Sequence, residues 1–228
     1  SLSFHAWPRY ALTIGLDVVL FIMAVVAGRV VPMFTNNAVA GAGARRVRSI
    51  ELGALGAVLL LLVMDGFGLG TAAAVVALVG ALLHGARLAL WAPLKTRGQP
   101  LVWILHLSYA WIVVHLLLRG LAGFDAVSGV AATHALTVGA IGGLTLGMMT
   151  RTARGHTARR LVAGRAEVSA YALVHAAAAV RVFLPLISPA SYLASIALSA
   201  LLWSGAFVVF TVTYYPVLAG PRLDGKPG

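Results

Sequence analysis

Hydrophobic positions form seven long runs along the chain, separated by short segments that contain glycine, proline and charged residues. A helix that crosses a bilayer needs about 20 predominantly apolar residues, whereas buried strands use only about 4–8. The runs are rich in Ala, Leu and Gly, a composition typical of membrane helices that pack through small residues. We therefore predict an all-α, polytopic transmembrane helical bundle that forms a single domain. Its spans are expected at about 10–34, 50–67, 69–91, 101–118, 129–150, 166–184 and 192–218.

The overall composition supports this interpretation. Hydrophobic residues make up 61% of the 228 residues and charged residues only 10%, whereas soluble domains carry about 25% charged residues. A water-soluble globule is therefore excluded, and lipid is the expected surrounding of most side chains. The chain contains no cysteine, which excludes disulfides, thiolate metal ligands and cysteine nucleophiles. No phosphate loop, dinucleotide-binding fingerprint or hydrolase triad is present in the sequence.

The placement of basic residues predicts the orientation in the membrane. Of the 17 lysines and arginines, 12 fall in alternate connections and in the C-terminal tail. Because basic connections are retained in the cytoplasm, we expect the N-terminus outside and the C-terminus inside. The net charge of +11 then reflects loops beside anionic lipid, and nucleic acid is not an expected partner. The twelve basic residues are Arg45, Arg46, Arg48, Lys95, Arg97, Arg151, Arg154, Arg159, Arg160, Arg165, Arg222 and Lys226; the remaining connections hold Arg9 and Arg119.

Ionisable residues inside the spans are candidates for function, because each one costs about 2.5–3.5 kcal/mol on insertion scales. Counting along alternating spans at about 1.5 Å per residue places them in two layers. The outer layer holds Asp17, His115, His134 and Arg181, with His175 near the middle. The cytoplasmic layer holds Arg29, His84, Arg87 and His106, together with the loop residue His156.

Histidine is the one strong transition-metal ligand in this chain, and imidazole suits both haem iron and copper. The alternative is that each intramembrane histidine simply hydrogen-bonds a neighbouring helix. No HxxxH or HxxEH pair specifies a metal site. His106 and His115 are nine residues apart, about half a turn out of phase, so they are not expected to face the same site.

Several other residues in the spans admit two interpretations. Asp17 suits a proton relay or a salt bridge to Arg181. Arg29 suits an anion or haem-propionate partner, or a side chain that reaches the cytoplasmic interface. The aromatic residues Trp103, Tyr109 and Trp111 are expected to be interfacial anchors. Gly139 and Gly143 form a GxxxG pair, which predicts close helix packing.

Five segments of the chain resemble the NnrS family of membrane proteins, in the family's order and over nearly the whole length. The longest is HALTVGAIGGLTLGMMTRTARGHT, at His134–Thr157. The others are GRVVPMFTNN at Gly28–Asn37, LLHGARL at Leu82–Leu88, WILHLSYAW at Trp103–Trp111 and YYPVL at Tyr214–Leu218.

The resemblance implies a bacterial inner-membrane protein that contains haem b and copper and is linked to denitrification and to tolerance of nitric oxide and nitrosative stress. Family members are longer, and this chain resembles only their C-terminal part. It begins without methionine and is therefore expected to be processed, trimmed or a fragment. If the cofactors need ligands from a missing N-terminal portion, this chain alone does not hold them. The positions that match the family are Arg29, Asn36, His84, His106, His134, Arg151 and His156.

We accordingly predict an integral membrane haem/copper protein that acts on or senses nitric oxide. His134 is the first expected haem ligand, and His106 and His84 are expected at a second site nearer the cytoplasm. Arg29 completes the predicted cofactor-binding residues. Two other functions remain open: a cofactor-free subunit that scaffolds a larger membrane complex with other subunits, and a transporter or channel with Asp17 and Arg29 along its path.

Overall fold

The computed structural model describes the backbone of residues 7–225 and the side chains of residues 11–225. Throughout this part of the chain the regular secondary structure is helical, and seven helices are long and apolar enough to cross a membrane. The predicted all-α bundle of seven spans is confirmed. The side chains of Arg9 and Lys226, which entered the charge argument, lie outside the described residues. The helices are α1 (Trp7–Ala38), α2 (Arg48–Gly66), α3 (Gly70–Leu90), α4 (Pro100–Ala122), α5 (Gly129–His156), α6 (Arg165–Ile187) and α7 (Tyr192–Ala219).

The first helix continues past the end of its hydrophobic run because its polar residues find partners. The Thr35 hydroxyl donates to the Val31 carbonyl at 2.8 Å. The Asn36 side chain exchanges two hydrogen bonds with the Ala44 backbone, at 2.8 and 2.9 Å. Position 34 therefore ends the hydrophobic pattern but not the helix, and Asn36 ties the α1–α2 connection back onto α1.

The fourth helix is the centre of the bundle, since it packs against α1, α3, α5 and α6. On one side, α2 and α3 form a hairpin and α1 packs on α2. On the other side, α6 and α7 pack together. The connections 39–47, 91–99 and 157–164 lie at what we call the basic end, and 67–69, 123–128 and 188–191 lie at the opposite end.

One stretch of α5 departs from α-helical geometry. Residues Ala135–Ile141 form a π-helical segment between two α-helical parts. Such segments are rare and often occur at functional sites. This one lies against α4, where an added Cβ at Gly139 would overlap the Trp111 ring and one at Gly143 would overlap the Ser108 hydroxyl. The GxxxG pair therefore provides the close packing that the sequence predicted.

Candidate cofactor-binding site

His84 lies at the centre of a buried hydrogen-bond network near the basic end. Its Nε2 donates to the Ala54 carbonyl of α2 at 3.1 Å, and its Nδ1 accepts from the Tyr109 hydroxyl of α4 at 2.6 Å. Both ring nitrogens are in use, so neither is free for a metal ion. Tyr109 is completely buried and Trp111 is buried as well, so neither is the interfacial anchor that the sequence predicted.

Arg87 extends this network to α1 and α2. Its Nε and Nη2 donate to the two carboxylate oxygens of Glu51, at 2.9 and 2.6 Å. Its Nη1 donates to the Ala24 carbonyl and to the Tyr109 hydroxyl. The guanidinium lies so close to α1 that a Cβ at Gly28 would overlap it. Glu51 was not among the residues predicted from the sequence, although an acidic residue within the first turn of a predicted span is a signal for such a partner.

His106 differs from His84 because one of its ring nitrogens has no partner. Its Nε2 contacts the Thr35 hydroxyl oxygen at 2.8 Å. Since that hydroxyl gives its hydrogen to the Val31 carbonyl, Nε2 is the donor and Nδ1 carries the lone pair. This Nδ1 is buried without a hydrogen-bond partner in the described structure. An apolar groove of about 450 Å³ borders His106 between α3 and α4.

Three further histidines lie on α4, α5 and α6. His115 donates from Nδ1 to the Ala132 carbonyl at 2.8 Å, and His175 accepts at Nδ1 from the Trp111 indole at 3.1 Å. In each of these two rings Nε2 is buried and unpartnered, as is Nδ1 of His134, so far as the described residues reach. His106 and His115 face α1 and α5 respectively, as their nine-residue spacing predicted.

A pocket of about 380 Å³ lies at the opposite end, one helical turn along α5 from His134. Val130 and Ala131 line it from α5, and Arg181 lines it from α6. The Arg181 guanidinium contacts Tyr192, with 3.5 Å from Nη2 to the hydroxyl and 5.1 Å to the ring centroid. Within residues 11–225 no carboxylate forms an ion pair with Arg181.

Asp17 is buried in α1 and pairs with Arg119 of α4, at 2.5 Å from Oδ1 to Nη1. The same guanidinium pairs with Asp65 of α2. The possible salt bridge from Asp17 to Arg181 was therefore wrong, because α1 packs against α2 and α4. Arg29 is exposed on α1, which favours the interpretation that its side chain reaches the interface.

The remaining family positions, Arg151 and His156, lie near the basic end. The Arg151 guanidinium lies over the Phe34 ring, 3.6 Å from its centroid, and His156 is exposed at the end of α5. A second acidic residue that the sequence analysis missed, Glu167, pairs with Arg154 and accepts from the Tyr214 hydroxyl at 2.9 Å. These contacts tie α5, α6 and α7 together.

Comparison with known families agrees with the resemblance of the five segments. A family model described as NnrS protein matches residues 2–222, almost the whole chain. The chain belongs to the NnrS family. No curated protein and no solved structure matches this NnrS chain.

The histidines of this NnrS chain fit haem better than a copper centre. Haem iron takes one or two axial ligands, and imidazole is a common one. Among the described residues, the buried His106 and His115 and the half-buried His134 each keep a ring nitrogen without a partner. The unpartnered Nε2 of His175 carries the ring hydrogen, because Nδ1 of that ring accepts from Trp111. Copper in a protein centre commonly takes three or more side-chain ligands. Over residues 11–225 no three His, Asp or Glu side chains lie close enough together to hold a metal ion. The residues thus fit haem, and they do not form a copper centre by themselves.

Proposed function

We propose that this chain is an integral membrane haem protein of NnrS type that binds nitric oxide and contributes to nitric-oxide tolerance. The observation that supports it is the set of histidine ring nitrogens left buried and unpartnered in the described bundle. Leaving a buried polar atom without a partner costs about 1–3 kcal/mol. A group bound from outside the chain removes this cost, and haem iron does so by direct coordination.

His134 is the first ligand in this proposal. It lies at the start of the π-helical segment, it is half-buried, and a pocket adjoins it one turn away. His106 is the ligand candidate for a second, separate site nearer the basic end, because its free Nδ1 carries a lone pair beside an apolar groove. His84 has a supporting role, since its two hydrogen bonds fix Tyr109 and α2.

When bound, ferrous haem supplies an iron atom that coordinates nitric oxide directly. The chain would contribute a histidine imidazole as a ligand and a surrounding of apolar helices. A small neutral gas partitions into such a medium, and water is excluded from it. The long helices with lipid-facing apolar side chains thus supply both the access route and the dry site.

The test is optical. The full chain, purified in detergent from cells grown with added haem, is expected to show a Soret band that shifts when nitric oxide is added to the reduced protein. His134→Ala is expected to lose most of the bound haem, whereas His156→Ala, which changes an exposed histidine, is expected to keep it. A wild-type chain without a Soret band under these conditions contradicts the proposal.

We also infer that the protein resides in the cytoplasmic membrane of a bacterium, with its basic end toward the cytoplasm. The support is the charge asymmetry of the connections, which the insertion machinery reads. Six of the basic residues lie in the connections that form this end, and four more lie in the helices beside them. The six are Arg45, Arg46, Lys95, Arg97, Arg159 and Arg160, and the four are Arg48, Arg151, Arg154 and Arg165.

A further inference from the structure

Among the described side chains, Arg181 lacks the carboxylate partner that three other arginines of the bundle have. Arg87, Arg119 and Arg154 each pair with a carboxylate from another helix. Arg181 lies inside α6, about 9 Å before its end at Ile187 by the rise of an α-helix. An arginine at this depth is costly unless it has a partner or reaches the interface. Over the described side chains its neighbour is the Tyr192 ring and hydroxyl, and no acid pairs with it.

The pocket beside Arg181 is suited to an apolar group that carries acidic tails. Most of its lining is apolar, and the exceptions are the Arg181 guanidinium and the hydroxyls of Ser128 and Tyr192. It lies between the start of α5 and the end of α6, where the bundle meets the surroundings. A guanidinium with its donors free binds a carboxylate through two parallel, charge-assisted hydrogen bonds.

His134 does not line this pocket itself, but it lies one helical turn further along α5. Val130 and Ala131 line the pocket, and His134 lies three and four residues later, on the same face of the helix. The start of α5, which carries His134, packs against α6, which carries Arg181. The His134 imidazole, with a free ring nitrogen, and the Arg181 guanidinium, without a carboxylate partner among the described residues, therefore lie in one region between α5 and α6.

We propose that Arg181, supported by Tyr192, binds the propionate carboxylates of the haem that His134 holds. This inference rests on the proposed function and assigns to Arg181 the role that the sequence had suggested for Arg29. Haem is complementary to this pocket, because it is a flat apolar macrocycle that carries two carboxylates at one edge. Arg181 and Tyr192, at the end of the bundle, would hold the carboxylates, and His134 would hold the iron.

An anionic phospholipid presents a similar charge to the same guanidinium, and the experiment separates the two. Haem and its dimethyl ester share the macrocycle and the iron, but the ester lacks the carboxylates. The full chain in detergent is titrated with each compound, and the dissociation constants are read from the Soret absorbance. The variants are Arg181→Gln and, as a matched control, Arg29→Gln, which changes an exposed arginine within a span.

The wild-type chain is expected to bind haem about tenfold more tightly than the ester, since a hydrogen bond to a charged group contributes about 1.5–3 kcal/mol. Arg181→Gln is expected to lose this preference by weakening haem binding alone, and Arg29→Gln is expected to keep it. Arg181→Lys retains the charge without the paired donors and is expected to be intermediate. It serves in place of Arg181→Gln if the latter does not fold.

Three results overturn the inference. One is a preference for haem over the ester that Arg181→Gln leaves unchanged. Another is a wild-type chain with a Soret band and no preference at all, which contradicts the role of Arg181 but not haem binding. The third is native mass spectrometry in which Arg181→Gln loses bound phosphatidylglycerol while its preference for haem stays, which assigns the pocket to lipid. A wild-type chain without a Soret band is different, because it contradicts the proposed function itself.

Discussion

The intramembrane histidines divide into two kinds by their partners. His84 uses both ring nitrogens within the bundle. His106, His115 and His175 use one and bury the other. In the second kind the partner fixes which nitrogen carries the hydrogen, as the Thr35 hydroxyl does for His106. The first kind holds helices together. In the second kind, His106 and His115 keep a buried nitrogen with a lone pair for a ligand, whereas the buried Nε2 of His175 carries the ring hydrogen.

The buried ion pair of Glu51 and Arg87 is expected to be sensitive to the loss of either partner. Glu51→Ala leaves a buried guanidinium without its carboxylate, which is expected to destabilise the protein by about 3–5 kcal/mol. The measurement is thermal unfolding of the purified chain in detergent. The double variant Glu51→Leu with Arg87→Met removes both charges and is expected to recover much of the loss. A single variant as stable as the wild type contradicts a structural role for the pair.

At the scale of residues, the ionisable side chains within the spans could be identified from the sequence, but their ion-pair partners could not. Asp17 was identified as an ionisable residue within a span, but its partner Arg119 depends on α1 packing beside α4. Hydropathy carries no information about which helices are neighbours, because every lipid-facing and every buried apolar face reads alike. Glu51 and Glu167 were missed because they stand in the first turns of their helices, where acidic residues are common.

At the scale of elements, the contact between α4 and α5 combines packing with site geometry. The Gly139 position allows the Trp111 ring to lie against the π-helical segment. The same indole donates to His175 on α6. The backbone of α5 at Gly139 therefore positions the Trp111 ring of α4, and this ring orients the His175 imidazole of α6.

Gly139→Ala is expected to displace Trp111, because the added Cβ meets rigid ring atoms and not a flexible chain end. Overpacking of this kind costs about 1–3 kcal/mol. The expected result is a lower unfolding temperature in detergent. The matched control is Gly56→Ala, where nothing lies within 4 Å of the added Cβ. Equal unfolding temperatures for the two variants contradict the close approach.

The number of helices was predictable from the sequence, whereas their irregularities were not. Seven apolar runs of sufficient length gave seven spans. The π-helical segment could not be predicted from hydropathy, because Ala135–Ile141 is an apolar stretch within the span. The continuation of α1 past position 34 depends on hydrogen bonds from Thr35 and Asn36 that form only in the folded bundle.

For the whole molecule, the orientation in the membrane is the property that awaits measurement. Because the chain has no cysteine, single cysteines can be introduced without background labelling. Ala126→Cys lies in the connection at the opposite end and Gly98→Cys lies at the basic end, and both positions are exposed. A membrane-impermeant maleimide added to intact cells is expected to label Ala126→Cys, and to label Gly98→Cys only after the cells are opened. The reverse pattern contradicts the inferred orientation.

The ion pair between Asp17 and Arg119 has a consequence for biosynthesis. The two residues are 102 positions apart, so at about 5–20 residues per second the ribosome needs about 5–20 s to make the second after the first. During this interval the nascent α1 carries a carboxylate without its guanidinium. We expect α1 to remain at the lateral gate of the translocon until the ribosome has made α4, and the two helices then to enter the lipid as a pair.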